Sequence, residues 1–177
     1  YGFQEMTWSD GYNPGDDDYS RFLRANGVQD PWALKAHGVD VNGWVGRPWH
    51  LAERLTHTSW CASEAVRFLT ERDPSCPFFL HLSMVDPHPP LTPPALYYER
   101  YLHEELPPPV IGDWCGDPPD PLGQAIAGAR VNLTGAALQR CRAAYYGMIN
   151  HVDDQVGRVI EALARLRLLN DTVIVFS

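Results

Sequence analysis

Residues 77–90 read PFFLHLSMVDPHPP, and this stretch decides the fold because it joins an apolar strand to a polar turn. From Phe78 to Val85 the pattern is mostly apolar, which is typical of a strand covered on both faces in an α/β sheet. Asp86 and His88 follow at the carboxyl end of that strand, where ligands bind in open α/β sheets. Prolines on both sides restrict the backbone at His88. The stretch therefore predicts a strand that leads into an active-site loop.

A second informative segment runs from residue 145 to residue 177 and predicts a long helix followed by another strand. Its apolar residues recur at steps of three or four, which indicates the core-facing stripe of a helix from about 135 to 169. The stripe consists of Tyr145, Ile149, Val152, Val156, Val159, Leu163 and Leu166. Residues 173–176 predict a second buried strand. A strand, a crossover that contains a helix and a strand form a right-handed parallel unit.

Charged residues of the long helix lie largely off that stripe. Asp154 and Arg158 have the spacing of a favourable ion pair. The adjacent carboxylates of Asp153 and Asp154 point about 100° apart on a helix, which favours a solvated or loop-binding role over shared acid-base chemistry.

Two shorter helices are expected before the first strand. Asp16, Asp17 and Asp18 lack the spacing of a calcium loop, and they indicate the cap of a helix at about 18–25. A helix from about Ser59 to Glu71 places Trp60, Ala65, Phe68 and Leu69 on one apolar stripe. His81, within the first strand, is expected to be a core histidine with satisfied hydrogen bonds.

Eleven of the sixteen prolines lie between Pro87 and Pro121. Proline disrupts both helix interiors and central strands, so the region is predicted to contain neither. Because it begins at His88, we expect a substrate-side loop. The tyrosines at 97, 98 and 101 are expected to pack as its anchor, whereas Trp114 and Cys115 in its middle receive no role.

The two motif segments together resemble the sulfatase family of the alkaline phosphatase superfamily. The matching elements are the PFFL strand with DPHxP at 77–90, the YYxxIxxVDDQVGR helix at 145–158 and a strand that reaches Ser177. The resemblance implies an α/β fold, part of an alkaline phosphatase-like sandwich with a mostly parallel central sheet flanked by helices. Residues 1–177 would be the middle portion of that catalytic domain, without its nucleophile region and its downstream metal-ligand region.

The resemblance also implies a chemistry. His88 would bind the sulfate group and act as the general acid, and Asp86 on the same substrate-side turn would either orient His88 or cap the turn. A divalent cation, calcium by family, and a formylglycine nucleophile from a Cys/Ser-x-Pro-x-Arg motif would both lie outside this chain. None of the four cysteines begins that motif, and no metal ligand is assigned within these residues.

Three function classes follow from these expectations. The first is a metal-dependent hydrolase of aryl or carbohydrate sulfate esters, and the second is a phosphonate monoester or phosphodiester hydrolase of the same superfamily. The third is a non-catalytic relic or binding module. The 177 residues by themselves are expected to be inactive, because they lack a nucleophile and a metal cage, and to expose strand edges that favour aggregation.

Composition argues against some binding partners but does not identify the cellular compartment. A net charge of -8 and the absence of a basic patch argue against a sequence-independent nucleic-acid binder. No apolar run approaches the roughly 20 residues of a membrane span. Sequons at Asn132 and Asn170 are usable only in a secretory compartment. Secretory, lysosomal, periplasmic and cytoplasmic locations therefore all stay possible, and the oligomeric state is open.

Overall fold

A computed structural model of the chain describes residues 2–10, 15–29, 43–113 and 133–177. Its α-helices in these ranges are α1 (Asp18–Ala25), α2 (His57–Glu71), α3 (Ala95–Leu102) and α4 (Gly135–Arg165). Short 3₁₀ turns lie at Glu53–Leu55 and Leu169–Asp171. No helix in the described ranges has both the length and the hydropathy that crossing a bilayer requires. Trp114, Cys115 and the sequon at Asn132 lie outside the described residues.

The starts of α1 and α2 are set by side-chain caps. The Asp17 carboxylate accepts a hydrogen bond from the Ser20 backbone N–H at 2.6 Å, which confirms the capping interpretation of the acidic run. Thr56 accepts one from the Ser59 N–H at 3.1 Å, so α2 begins two residues earlier than the sequence predicts. Helix α2 ends at Glu71, as predicted.

Helices α2 and α4 pack through small and aliphatic side chains. Ala62, Ala65 and Leu69 of α2 form one buried cluster with Val159, Ala162 and Leu163 of α4. Alanine at these positions lets the two helices approach closely, because it adds little bulk between their axes. This contact fixes the C-terminal half of α4 against α2.

Helix α3 corrects the prediction that the proline-rich region contains no regular helix. The prolines leave Ala95–Leu102 uninterrupted, and Pro94 stands at the N-cap, where a missing N–H removes no helical hydrogen bond. Helix α3 packs against α4 at Gly147, where an added Cβ would lie 2.9 Å from the Tyr97 carbonyl oxygen. Tyr97 and Tyr98 are buried and Tyr101 is partly buried, which confirms the packing role of the tyrosines.

The buried face of α4 differs from the predicted stripe. Tyr145, Ile149 and Leu166 are exposed, whereas the helix buries Ala144, Met148, His151, Gln155 and Ala162 along with Val159 and Leu163. Small residues and hydrogen-bonded polar residues therefore form much of the contact face. Periodicity of large apolar side chains missed this face because it gives little weight to alanine and none to histidine or glutamine.

The two predicted strands are absent from the described residues. The segment 78–85 has the expected alternation, because Phe78, Leu80, Leu82 and Met84 pack against the helices. Phe79 and His81 are exposed among the described residues, so the predicted coverage of both faces and the predicted core position of His81 are not confirmed. A strand needs a neighbour for its backbone hydrogen bonds, and neither 78–85 nor 173–176 has one in the described part of the chain.

Candidate functional site

The turn at residues 85–88 holds the principal candidate residue. The His88 N–H donates to the Val85 carbonyl at 3.0 Å, which closes the turn at the end of the apolar segment. The imidazole is exposed, and its Nδ1 lies 2.7 Å from the Pro89 carbonyl oxygen. Because a carbonyl oxygen only accepts, Nδ1 carries a proton in this contact. The ring therefore stands at the surface with a defined tautomer.

The Asp86 side chain is hydrogen-bonded to helix α2 and not to His88. Its carboxylate oxygen Oδ2 accepts a hydrogen bond from Thr58 Oγ1 at 2.5 Å. Thr58 is wholly buried and is the second residue of α2. The side chain that the sequence placed beside His88 thus points into the helical layer, and the structure joins the turn to α2 through it.

The surroundings of Asp86 are poorly solvated. Burial raises the pKa of the Asp86 carboxyl to about 6, and the hydrogen bond from Thr58 acts in the opposite direction. Burial, the Asp86 charge and that of Cys61 together raise the pKa of Tyr19 well above its usual range. The Tyr19 hydroxyl donates to the Leu55 carbonyl at 2.7 Å, which ties α1 to the segment before α2.

The chain that follows His88 is held in place along its length. Backbone N–H groups of Arg47 and Trp49 donate to the carbonyls of Leu91 and Pro93 at 3.0 and 2.7 Å. The Tyr97 hydroxyl of α3 donates to Asp154 Oδ2 of α4 at 2.8 Å, so this carboxylate binds a helix where the sequence predicted a solvated or loop-binding role.

The ion pair predicted between Asp154 and Arg158 was wrong, although both side chains make other contacts. Arg158 instead donates to Gln155 within α4 and to Ser63 of α2 at 3.2 Å. Asp154 faces α3, and Arg158 faces α2, so the two side chains leave the helix in different directions.

The described residues do not form a metal cage, and two of the three described cysteines are poorly suited to act as nucleophiles. No three carboxylate, imidazole or thiol side chains in these ranges converge to hold a cation. Burial raises the pKa of Cys61 to about 12 and that of Cys141 to about 11, which leaves little reactive thiolate. Cys76 is exposed and lies beside Asp73 in the turn after α2.

Sequence reasoning identified the turn but missed the residues that hold it. Thr58 was placed outside α2, and Tyr19 was taken only as part of the first helix. The available signal was a threonine two residues after the Thr56 cap, on the first turn of an amphipathic helix. Nothing in that signal connects Thr58 with a turn 28 residues later in the chain.

Comparisons with known proteins agree on one family. The family model described as Sulfatase matches residues 3–177. An arylsulfatase of Clostridium perfringens is 41% identical over 161 residues, which cover 90% of this chain and 33% of the relative. A choline-sulfatase of Rhizobium meliloti is 27% identical over 183 residues, 99% of this chain and 36% of the relative.

A solved structure is similar in fold as well. The phosphonate monoester hydrolase of Agrobacterium radiobacter superposes with a TM-score of 0.69 and 26% identity. The match covers 89% of this chain and 34% of that structure. The chain thus spans about a third of the length of the relatives and the structure it matches.

Proposed function

This chain belongs to the sulfatase family, and from that premise we propose that it is the middle portion of a catalytic domain that hydrolyses sulfate esters. Its fold is the alkaline phosphatase-like fold of that family. The proposed substrates are aryl or carbohydrate sulfates. The whole protein, rather than residues 1–177 by themselves, would carry the activity.

The observation that carries this proposal is the position of His88. The ring is exposed on a hydrogen-bonded turn at the end of the 78–85 segment, with Nδ1 directed at the Pro89 carbonyl. When imidazolium is present, Nε2 can hydrogen-bond a sulfate oxygen and transfer its proton to the leaving oxygen as the S–O bond breaks. His88 would therefore both bind the sulfate group and protonate the leaving group.

Asp86 completes the proposed substrate-side turn. Its carboxylate accepts a hydrogen bond from the Thr58 hydroxyl. This contact supports a role for Asp86 in holding the turn on which the substrate would bind. The calcium ion and the formylglycine that the family resemblance implies would be supplied from outside these residues. The described side chains form no cage for the cation.

Hydrolysis of phosphonate monoesters or phosphodiesters is the second candidate function. It is favoured by the similarity to the phosphonate monoester hydrolase of Agrobacterium radiobacter. A proton donor at His88 would serve either reaction, because both leave a negative charge on the departing oxygen. Selection between sulfur and phosphorus would depend on groups other than His88 and Asp86.

The test is a comparison of wild-type and His88→Ala forms of the full-length protein. Activity would be measured on 4-nitrophenyl sulfate, on phenyl sulfate and on a phenylphosphonate monoester of 4-nitrophenol. Loss of a general acid lowers the rate by about 10²–10⁴-fold. We expect the loss to be larger for phenyl sulfate, because phenol is a poorer leaving group than 4-nitrophenol and depends more on protonation.

His81→Ala is the matched control, since His81 is an exposed histidine seven residues earlier on the same segment. It should retain wild-type rates on all three compounds. Equal rates for wild type and His88→Ala would remove His88 from the chemistry. Turnover of the phosphonate alone would favour the second candidate, and a wild-type protein inactive on all three compounds would support a non-catalytic role.

A further inference from the structure

The turn that carries His88 is connected to helix α2 by a single side-chain hydrogen bond within the described residues. Thr58 Oγ1 donates to Asp86 Oδ2 at 2.5 Å, and Asp86 stands two residues before His88. Thr58 has no exposed surface, so water does not compete for the hydroxyl. Asp86 is half-buried, so the contact between the carboxylate and its donor is shielded from the Thr58 side.

The donor side of this contact is itself firmly placed. Thr58 lies on the first turn of α2, between the Thr56 cap and Ser59. Ser59 Oγ lies 3.1 Å from Nε2 of the buried His151, which connects this turn of α2 to α4. Because Ser59 fixes this first turn of α2 against α4, the neighbouring Thr58 can define where Asp86 lies.

The other neighbours of Asp86 do not replace Thr58. Tyr19 and Cys61 both interact electrostatically with the carboxylate. The Tyr19 hydroxyl is already used by the Leu55 carbonyl, and the Cys61 thiol faces the His57 ring at 3.6 Å. Loss of the Thr58 hydroxyl would leave a poorly solvated carboxylate without its donor, which strongly favours movement of the turn toward water.

We propose that Thr58 is a positioning residue for His88, acting through the Asp86 carboxylate. The inference rests on the proposed function, because it assigns Thr58 to the same proton-transfer step. A displacement of about 1 Å in a reacting group can lower a rate by about 10²-fold. Movement of residues 85–88 would displace the His88 ring in this way while leaving the helices intact.

The test uses Thr58→Val and Thr58→Ser in the full-length protein. Valine keeps the shape of threonine but removes the donor, whereas serine keeps the hydroxyl. Thr58→Val should lower the rate on phenyl sulfate by about 10-fold or more, and Thr58→Ser should restore most of it. Thr70→Val is the control, since it removes an exposed hydroxyl that bonds only the Val66 carbonyl of the same helix.

Two further readouts separate positioning from a general loss of folding. If Thr58 is a positioning residue, Thr58→Val should lower the rate on phenyl sulfate more than the rate on 4-nitrophenyl sulfate. This is the same dependence on the leaving group that is expected for His88→Ala. In the double variant with His88→Ala, Thr58→Val should cause no additional loss, because its effect passes through His88. A structural defect would lower the rates on both substrates equally, and Thr58→Val would then cause a further loss in the His88→Ala background.

Each outcome decides one of the two claims. A wild-type rate for Thr58→Val, or an equal loss with and without His88, would overturn the positioning role and leave the proposed function intact. A wild-type rate for His88→Ala would remove His88 from the chemistry and the positioning role with it, whereas a wild-type protein inactive on all three compounds would overturn the proposed function itself. If Thr58→Val does not fold, Asp86→Asn and Asp86→Ala decide together, because an amide oxygen still accepts from Thr58 and alanine does not. A near-wild-type rate for Asp86→Asn with a loss of about 10-fold or more for Asp86→Ala supports positioning, and equal rates for the two variants contradict it.

Discussion

Two regions differ in how far they bury their side chains and pair their backbone hydrogen-bonding groups. The first is the junction of α3 with α4, and the second consists of the apolar segments 78–85 and 173–176. At the junction, Gly147 lets backbones meet, and Met148 is 1% exposed beneath α3. In the segments, Phe79 is 74% and Val175 is 82% exposed. Helices close their hydrogen bonds locally, whereas strands require neighbours. Local sequence is therefore sufficient to build the first region and insufficient to build the second.

Polar contacts strengthen this difference. The α3 side of the junction donates to α4 through the Tyr97 hydroxyl and through Arg100, whose guanidinium bonds Asn150 Oδ1 at 2.8 Å. Residues 78–84 and 173–176 make no backbone hydrogen bonds to another segment of the described chain. We expect substitutions at the junction to change stability and substitutions at the exposed positions of the segments, such as Val175, to leave it nearly unchanged.

The largest expected effect comes from truncating the junction. Met148→Ala should lower the free energy of unfolding of the 177-residue chain by about 2–5 kcal/mol, because it removes a buried side chain and leaves a cavity. Val175→Ala should change it by less than about 0.5 kcal/mol, since its side chain is already in water. Urea unfolding followed by far-ultraviolet circular dichroism measures both. A large loss for Val175→Ala would mean that residues 173–176 are packed in solution.

Two glycines of α4 distinguish the effect of close helix packing on stability from the effect of helix propensity. Gly147→Ala should destabilise the chain by about 1–3 kcal/mol, because the new Cβ meets the Tyr97 backbone. Gly157→Ala on the same helix has open space around its Cβ and should stabilise by about 1 kcal/mol. Thermal or urea unfolding of both variants gives the two signs. Equal stabilisation by both alanines would show that α3 does not lie against Gly147.

The sequence predicted the elements that depend on local signals. The cap at Asp17 and the stripe with Ala65 and Leu69 require only a few neighbouring residues. The buried face of α4 was not predicted correctly. Gly147 and His151 are buried because they contact residues of other helices. A helical stripe of large apolar residues contains no information about such partners.

The candidate site divides in the same way. His88 and Asp86 could be identified because motif and proline spacing lie within one short stretch. Thr58 could not, because its contact with Asp86 joins residues 28 positions apart and depends on how α2 lies beneath the turn. The interior of the proline-rich region was misjudged for a simpler reason: eight residues without proline suffice for a helix once Pro94 begins it.

The smallest expected effect tests the polar part of the junction and concerns His151. Burial lowers its pKa to about 4, with the Asp154 charge opposing and the Arg158 charge adding to the shift. The imidazole is therefore neutral at pH 7, and its 3.8 Å approach to Glu53 is not an ion pair. An unfolded histidine has a pKa of about 6.5. Between these values the unfolded state binds more protons, so stability rises with pH and is lost on acidification.

Replacing His151 by glutamine removes this proton linkage. Wild-type stability should fall between pH 7 and pH 5, and His151→Gln should reduce that fall by about 1–2 kcal/mol. His57, whose pKa is also lowered to about 4, contributes with the same sign in both proteins, whereas Asp86, with a pKa raised to about 6, opposes it. Ser59→Ala is the control: it removes a His151 partner but not the titrating group, so the pH dependence should persist. Urea unfolding at both pH values measures the difference, and an unchanged fall in His151→Gln would mean that water reaches this histidine in solution.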